Sequence, residues 1–169
     1  MTLVVLVGPM GAGKSTVARH LATAYGVTAR DTDTDVEAAA GRSISDIFVD
    51  SGEAHFRELE REAVADALAS HDGVLALGGG AVLDPTTREL LADHRVVFLR
   101  VGLSDAVKRV GLGSARPLLL GNVRGRIKAL LDERTPIYES VATLVIETDG
   151  RTPAEVGSEI IDLLGSAPS

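Results

Sequence analysis

Gly8-Pro9-Met10-Gly11-Ala12-Gly13-Lys14-Ser15-Thr16 follows the spacing G-x-x-x-x-G-K-[ST], the pattern of a loop that cradles phosphates. Before it, Leu3-Val4-Val5-Leu6-Val7 is a short apolar run rich in β-branched residues and reads as a buried strand. After it, Val17, Ala18, Leu21, Ala22 and Tyr25 recur at helical spacing. The loop therefore joins a strand to a helix N-terminus, where unpaired N–H groups and the helix dipole favour an anion. Gly8, Gly11 and Gly13 let the backbone curl around phosphates without a Cβ clash. The expected nucleotide contacts are Gly11, Ala12, Gly13, Lys14, Ser15 and Thr16. Lys14 reaches the β- and γ-phosphates, and the Ser15 hydroxyl is a ligand for Mg²⁺. The competing reading, a glycine-rich turn of some other α/β protein, is disfavoured by the strand before and the helix after. The motif says ATP or GTP and leaves the reaction open.

Outward from this loop, strand and helix signals alternate to the end of the chain, the pattern of a parallel sheet wrapped by helices. Strands are expected at Val27 to Arg30, Val74 to Leu77, Val96 to Leu99 and Thr143 to Ile146. Gly26 and Gly41 read as helix C-terminal stops. Short helices are expected from Val36 and around Ile44 to Phe48, with a longer one from Glu53 whose apolar face carries Phe56, Leu59, Ala63, Val64, Ala67 and Leu68. Asp84-Pro85 and Thr152-Pro153-Ala154-Glu155 open further helices, the latter as a capping box, and Ser104 is placed as the cap of another.

At 169 residues, 45% of them hydrophobic, the chain is expected to be one domain, residues 1–169, with a single sizeable core. Its net charge of −7 disfavours a nucleic-acid partner. Lysine stands only at Lys14, Lys108 and Lys128, so the positive charge is mostly arginine, the better fork for carboxylate or phosphate. The absence of cysteine excludes disulfides, thiolate metal sites and thiol catalysis. The apolar run before Gly8 is too short for a signal sequence or a membrane span, and a cytoplasmic enzyme is expected.

Asp31-Thr32-Asp33-Thr34-Asp35 follows the second strand. On an extended segment Asp31 and Asp33 face the same way, beyond the carboxyl end of the strand, where ligands bind in open α/β sheets. Asp35 suits the blander role of helix-start acid. Arg57, near the start of its helix, is unfavourable to the dipole and hints at an anionic partner, although an i,i+4 pair with Glu53 explains it as well. Gly78-Gly79-Gly80 allows close backbone approach to a ligand. No Walker B aspartate ends that strand, so Asp31 is the best further ligand for Mg²⁺. Gly111 to Gly121, with Arg116-Pro117 inside it, reads as a lid (about 111–122) bringing charge to the phosphates. The four histidines, His20, His55, His71 and His94, read as solvated.

Taken together these pieces resemble the shikimate kinase family over nearly the whole chain. The resemblance rests on Gly13-Lys14-Ser15-Thr16, Asp31-Thr32-Asp33, Gly41-Arg42-Ser43-Ile44, Phe56-Arg57, Gly78-Gly79-Gly80, Arg116-Pro117-Leu118-Leu119 and Arg134-Thr135-Pro136-Ile137-Tyr138. It implies a three-layer P-loop kinase fold with a five-stranded parallel sheet of order 2-3-1-4-5 and a mobile lid. It implies transfer of the ATP γ-phosphoryl, with Mg²⁺, to the 3-hydroxyl of shikimate, a step of chorismate and aromatic amino-acid biosynthesis. By the same resemblance Asp33, Arg57, Gly78, Gly79, Gly80 and Arg134 bind shikimate, with a substrate-binding region at about 31–61. Arg116 comes from the lid, Arg109 and Arg151 lie near the nucleotide base, and the catalytic residues are Lys14, Asp33 and Arg116. The partners implied are small molecules, with neither nucleic acid nor membrane, and a monomer is expected. Two overlapping Asp-Thr-Asp pairs leave that motif's register open; the distance to Gly41-Arg42-Ser43 favours Asp31 and Asp33.

The chemistry of the residues agrees. Two guanidinium groups, Arg57 and Arg134, suit a planar carboxylate. Asp33 can orient the attacking hydroxyl or take its proton. A gluconate kinase shares the P-loop, a lid and a carboxylate substrate, and is the nearest rival. A guanine-nucleotide switch is weaker: Asn122 is the one asparagine, without a base-reading context, and there is no glutamine.

Overall fold

The computed structural model describes residues 2–113 and 122–165, the side chains of 110–113 excepted. Five parallel strands, β1 (Val4–Val7), β2 (Ala29–Asp31), β3 (Val74–Ala76), β4 (Val96–Arg100) and β5 (Leu144–Glu147), form one sheet in the order β2-β3-β1-β4-β5. The helices are α1 (Lys14–Tyr25), α2 (Thr32–Ala40), α3 (Ile44–Ser70), α4 (Pro85–Leu91), α5 (Leu103–Gly113), α6 (Val123–Val141) and α7 (Pro153–Leu164), with a 3₁₀ turn at Ala81–Leu83.

Strand β1 is central, and all four of its side chains are buried. Because successive strand residues face opposite sides, Val4 and Leu6 join one core cluster with Val17, Leu21, Val156 and Ile160 of α1 and α7. Val5 and Val7 join the other, with Val64 and Ala67 of α3, Leu91 of α4 and Tyr138 of α6. Helices therefore cover both faces. Each such aliphatic side chain contributes about 1.5–3 kcal/mol relative to exposure; Leu6→Ala is the kind of change that would cost about 2–5 kcal/mol. A third, smaller cluster of Val36, Ile47 and Phe56 holds α2 against α3 beside the sheet.

Several local expectations are revised. Helix α2 begins at Thr32, so Asp33 sits in a first helical turn rather than on an extended segment. Asp31 is the helix cap: its carboxylate accepts from the Asp33 N–H at 2.9 Å. Asp35 is a first-turn acid and pairs with Arg30 at 2.6 Å. The two helices expected on either side of Gly52 are two arms of α3, broken where Gly52 takes φ 86° and ψ 167°. Ser104 lies inside α5, which begins at Leu103. The expected lid is trimmed at both ends, because α5 runs to Gly113 and α6 starts at Val123 with Asn122 as its cap; the rest of it, with Arg116, lies outside the described residues. Helix α6 continues through Pro136, whose ring usually breaks a helix, because Tyr138 beyond it is anchored in the core. Of the histidines, His71 is half-buried with Nε2 3.1 Å from the Val74 carbonyl, and His94 Nδ1 is buried with no hydrogen-bond partner among the described residues.

Candidate active site

The P-loop leaves β1 and enters α1 through Gly13, which takes φ 87° as the helix cap, a conformation costly for any residue with a Cβ. Gly8 passes so close to β4 that a Cβ there would meet the Leu99 carbonyl at 2.7 Å. The loop thus sits at the carboxyl ends of β1 and β4, with its mouth at one end of a cavity of about 1020 Å³. Lys14, Ser15, Asp31, Asp33, Arg57, Glu60, Gly79, Gly80 and Arg134 all contribute to its wall. Residues from six separate elements and loops converge there because parallel strands deliver their following loops to the same edge of the sheet.

Lys14 donates from Nζ to the carbonyls of Gly8 and Pro9, at 2.7 and 3.0 Å. Burial pulls its pKa down to about 8; the carboxylates of Asp33 and Asp31 oppose this, and Arg134 adds to it. Asp33 is pushed above the ordinary carboxylate range, first by burial and then by Asp31 and Glu37, against Lys14 and Arg57. The site holds a lysine and a carboxylate whose environments draw their proton affinities towards each other, as acid–base and phosphate-handling sites do.

Ser15 Oγ donates to Asp31 Oδ2 at 2.6 Å. Two hard oxygens, one of them a carboxylate, beside the phosphate loop fit Mg²⁺, which takes one or two protein ligands and completes its shell with phosphate and water. Among the described residues no cluster of three or more acidic, histidine or cysteine side chains could hold a metal by itself.

Arg57 is half-buried and donates from Nη1 to Glu60 at 2.8 Å, with Glu53 at 3.5 Å. The anionic partner hinted at by its position is thus Glu60, which is 4% exposed; burial raises its pKa, against the hydrogen bond from Arg57. Sequence reasoning missed Glu60, though its spacing three residues after Arg57 was the available signal. It also missed Thr32, fully buried, whose Oγ1 accepts from the Gly78 N–H at 3.2 Å. A Cβ on Gly78 would stand 2.5 Å from Asp33 Oδ1, and one on Gly80 would stand 2.5 Å from Arg57 Nη1. A side chain at Gly78 or Gly80 would therefore push Asp33 or Arg57 aside, whereas a Cβ on Gly79, between the P-loop and Arg134, would meet only ordinary contact distances.

Arg109 and Arg151 flank a smaller cavity of about 130 Å³ that shares Gly11, Ala12 and Gly13 with the P-loop. Arg109 donates to the Gly11 carbonyl at 3.1 Å and to Thr148, tying the phosphate loop to the segment after β5. Arg151 is held by the Glu147 and Glu155 carbonyls and pairs with Glu159.

A P-loop entering α1, paired arginines and a lysine–carboxylate cleft define a small-molecule kinase of the P-loop class. The family model for shikimate kinase matches residues 10–165, and the chain belongs to that family. A shikimate kinase of Salinispora arenicola is 60% identical over 162 residues, 96% of this chain and 97% of its own length. One from Thermobifida fusca is 59% identical over 165 residues, 98% of this chain and 96% of its own. Among solved structures, shikimate kinase from Acinetobacter baumannii in complex with shikimate superposes with a TM-score of 0.89 at 36% identity, covering 95% of this chain and 91% of that one.

Proposed function

We propose that this chain transfers the γ-phosphoryl group of ATP to the 3-hydroxyl of shikimate, giving shikimate 3-phosphate and ADP. Family membership supports the reaction, and the observation that carries the residue assignment is the convergence of Arg57, Arg134 and Asp33 opposite Lys14 in one cavity. Arg57 and Arg134 bind the acceptor carboxylate, each able to offer a planar fork, and Gly79 and Gly80, which line the cavity, bring the backbone close to the ring; Gly78, expected beside them, is covered by Asp33 and Glu60 and does not line the cavity. Asp33 accepts a hydrogen bond from the 3-hydroxyl and orients its oxygen towards the γ-phosphorus. As the new O–P bond forms and the bond to the β-bridging oxygen breaks, the hydroxyl proton leaves towards Asp33, whose raised proton affinity suits it to receive one.

Gly11, Ala12, Gly13, Lys14, Ser15 and Thr16 hold the phosphates, Arg116 adds charge from the lid, and Arg109 and Arg151 border the base. Ser15 and Asp31 would hold Mg²⁺, which neutralises phosphate charge when bound. Phosphoryl transfer needs positioning and charge stabilisation more than covalent chemistry, and the cleft supplies both. We read the chain as a monomer acting as one domain. Among the described residues no helix is long and apolar enough to cross a membrane, and the use of ATP supports a place in the cytoplasm.

The test is a coupled ADP-release assay over a panel of hydroxy acids. Shikimate is expected to be the acceptor with the highest kcat/KM; turnover of gluconate without turnover of shikimate would overturn the assignment.

A further inference from the structure

Among the described residues Tyr138 is the largest fully buried side chain. Its ring packs against Phe98 of β4 with centroids 5.0 Å apart. A phenylalanine would fill that space equally well. The hydroxyl, however, is not left idle: it donates to the Gly79 carbonyl at 2.6 Å, across 59 residues of chain. Tyr138 does not itself line the cleft, whereas Gly79 and Gly80 do. It stands one helical turn after Arg134 on α6, so the two share a face. The Arg134 guanidinium lies close enough to the hydroxyl to bear on its charge.

These contacts meet at one peptide group. An ideal Cβ on Gly79 would lie 3.6 Å from the Gly8 carbonyl oxygen and 3.8 Å from Arg134 Nη1. Among the described residues the Gly79 and Gly80 N–H groups have no backbone acceptor. Because a trans peptide is planar, holding the Gly79 carbonyl also fixes the direction of the Gly80 N–H, opposite to it. Thr32 pins the preceding residue through the Gly78 N–H. The glycines have no side chains to anchor the loop; beyond the turn bonds that the Gly78 and Gly80 carbonyls accept from the Ala81 and Leu83 N–H groups, these two hydroxyls tie it to α2 and α6.

We propose that Tyr138 is a positioning residue for the acceptor site. Its hydroxyl holds the Gly79–Gly80 peptide in register with the Arg134 guanidinium four residues back on its own helix. This rests on the reading of Gly79, Gly80 and Arg134 as acceptor contacts. It leaves the nucleotide half of the cleft independent of Tyr138.

Tyr138→Phe removes the hydroxyl and keeps the ring. The expected result is a rise of about five- to twentyfold in KM for shikimate, the loss of one buried hydrogen bond read at the acceptor, with KM for ATP and kcat at saturation within about twofold of wild type. Phe98→Leu loosens the same buried contact and keeps the hydroxyl; it is expected to lower Tm without moving the shikimate KM. Assays are run well below the melting midpoint of each variant. A Tyr138→Phe enzyme that melts lower but keeps its shikimate KM, or one whose two KM values rise together, overturns the proposal. The wild-type arm separates the two readings. If wild type turns over another hydroxy acid instead of shikimate, the acceptor assignment fails by itself, and the same variant comparison on that acceptor still decides the role of Tyr138.

Discussion

The Ser15 hydroxyl donates to Asp31 Oδ2 at 2.6 Å, joining the first turn of α1 to the end of β2 across the mouth of the cleft. The other oxygen of the same carboxylate caps α2 by accepting from the Asp33 N–H at 2.9 Å. Asp31 therefore couples the candidate metal site to the helix start that carries Asp33.

That double role can be separated. Asparagine caps a helix about as well as aspartate, whereas alanine at a cap costs about 1 kcal/mol. Asp31→Asn is expected to keep near wild-type urea stability and to raise the Mg²⁺ concentration for half-maximal turnover by about tenfold or more. Asp31→Ala should show the same Mg²⁺ defect with the added loss of stability. A magnesium titration of turnover beside a urea curve checks both; an unchanged Mg²⁺ requirement in Asp31→Asn would remove Asp31 from the metal site.

Asp33→Asn tests the carboxylate that faces the acceptor. Turnover is expected to fall by about 10²–10⁴, while ATP binding measured by calorimetry stays close to wild type, since the P-loop is untouched. Because burial raises the Asp33 pKa in the folded chain, its ionised form is disfavoured there. The stability it contributes is greatest at low pH and falls as pH rises through the folded pKa. The amide variant is therefore expected to melt no lower than wild type at neutral pH. Weakened ATP binding with normal kcat would contradict the role.

A Cβ on Gly80 would fall 2.5 and 2.6 Å from the two terminal nitrogens of Arg57, so Gly80→Ala must displace that guanidinium. A shift of this size is expected to cost about ten- to a hundredfold in kcat/KM for shikimate, with KM for ATP essentially unchanged. Steady-state kinetics with each substrate varied in turn would show it. Equal losses on both substrates would mean that the loop, rather than Arg57, had moved.

Lys14, lowered to about 8 chiefly by burial, gives the free enzyme an alkaline limit. Phosphates stabilise the charged lysine, so kcat/KM for ATP is expected to fall as pH rises through about 8, while kcat at saturating ATP stays flatter. Above that pH, ATP binding should take up a proton, measurable by calorimetry in buffers of different ionisation heat. The unfolded chain holds this proton up to 10.5 and the folded chain only to about 8, so the contribution of Lys14 to stability rises with pH across that window. A binding step without proton uptake would mean that Lys14 is already charged in the free enzyme.

Local signals were reliable wherever a residue's role depends on near neighbours. The strand before Gly8 and the helix after Gly13 were legible from β-branching and periodicity, and so were the stops at Gly26 and Gly41, both with φ near 70°, and the Thr152–Glu155 capping box. Errors came where two local rules competed. Asp31, Asp33 and Asp35 could each open a helix, and alternation along an extended segment was applied to a stretch that is already helical after Asp31. Likewise Ser104 fits a cap, yet α5 starts one residue earlier, at Leu103.

By itself the sequence determined the P-loop, the alternating α/β pattern and the family motifs, because each is written in residues a few positions apart. The tertiary structure decided that Arg57 turns to a buried Glu60, that Thr32 and Tyr138 grip the triple glycine from two sides, and that a side chain at Gly78 or Gly80 would displace Asp33 or Arg57. The physical reason is separation along the chain. Tyr138 and Gly79 are 59 residues apart, and no local propensity encodes their contact; it exists because parallel strands bring the loops after β1, β2 and β3 to one edge of the sheet, where α6 closes over them.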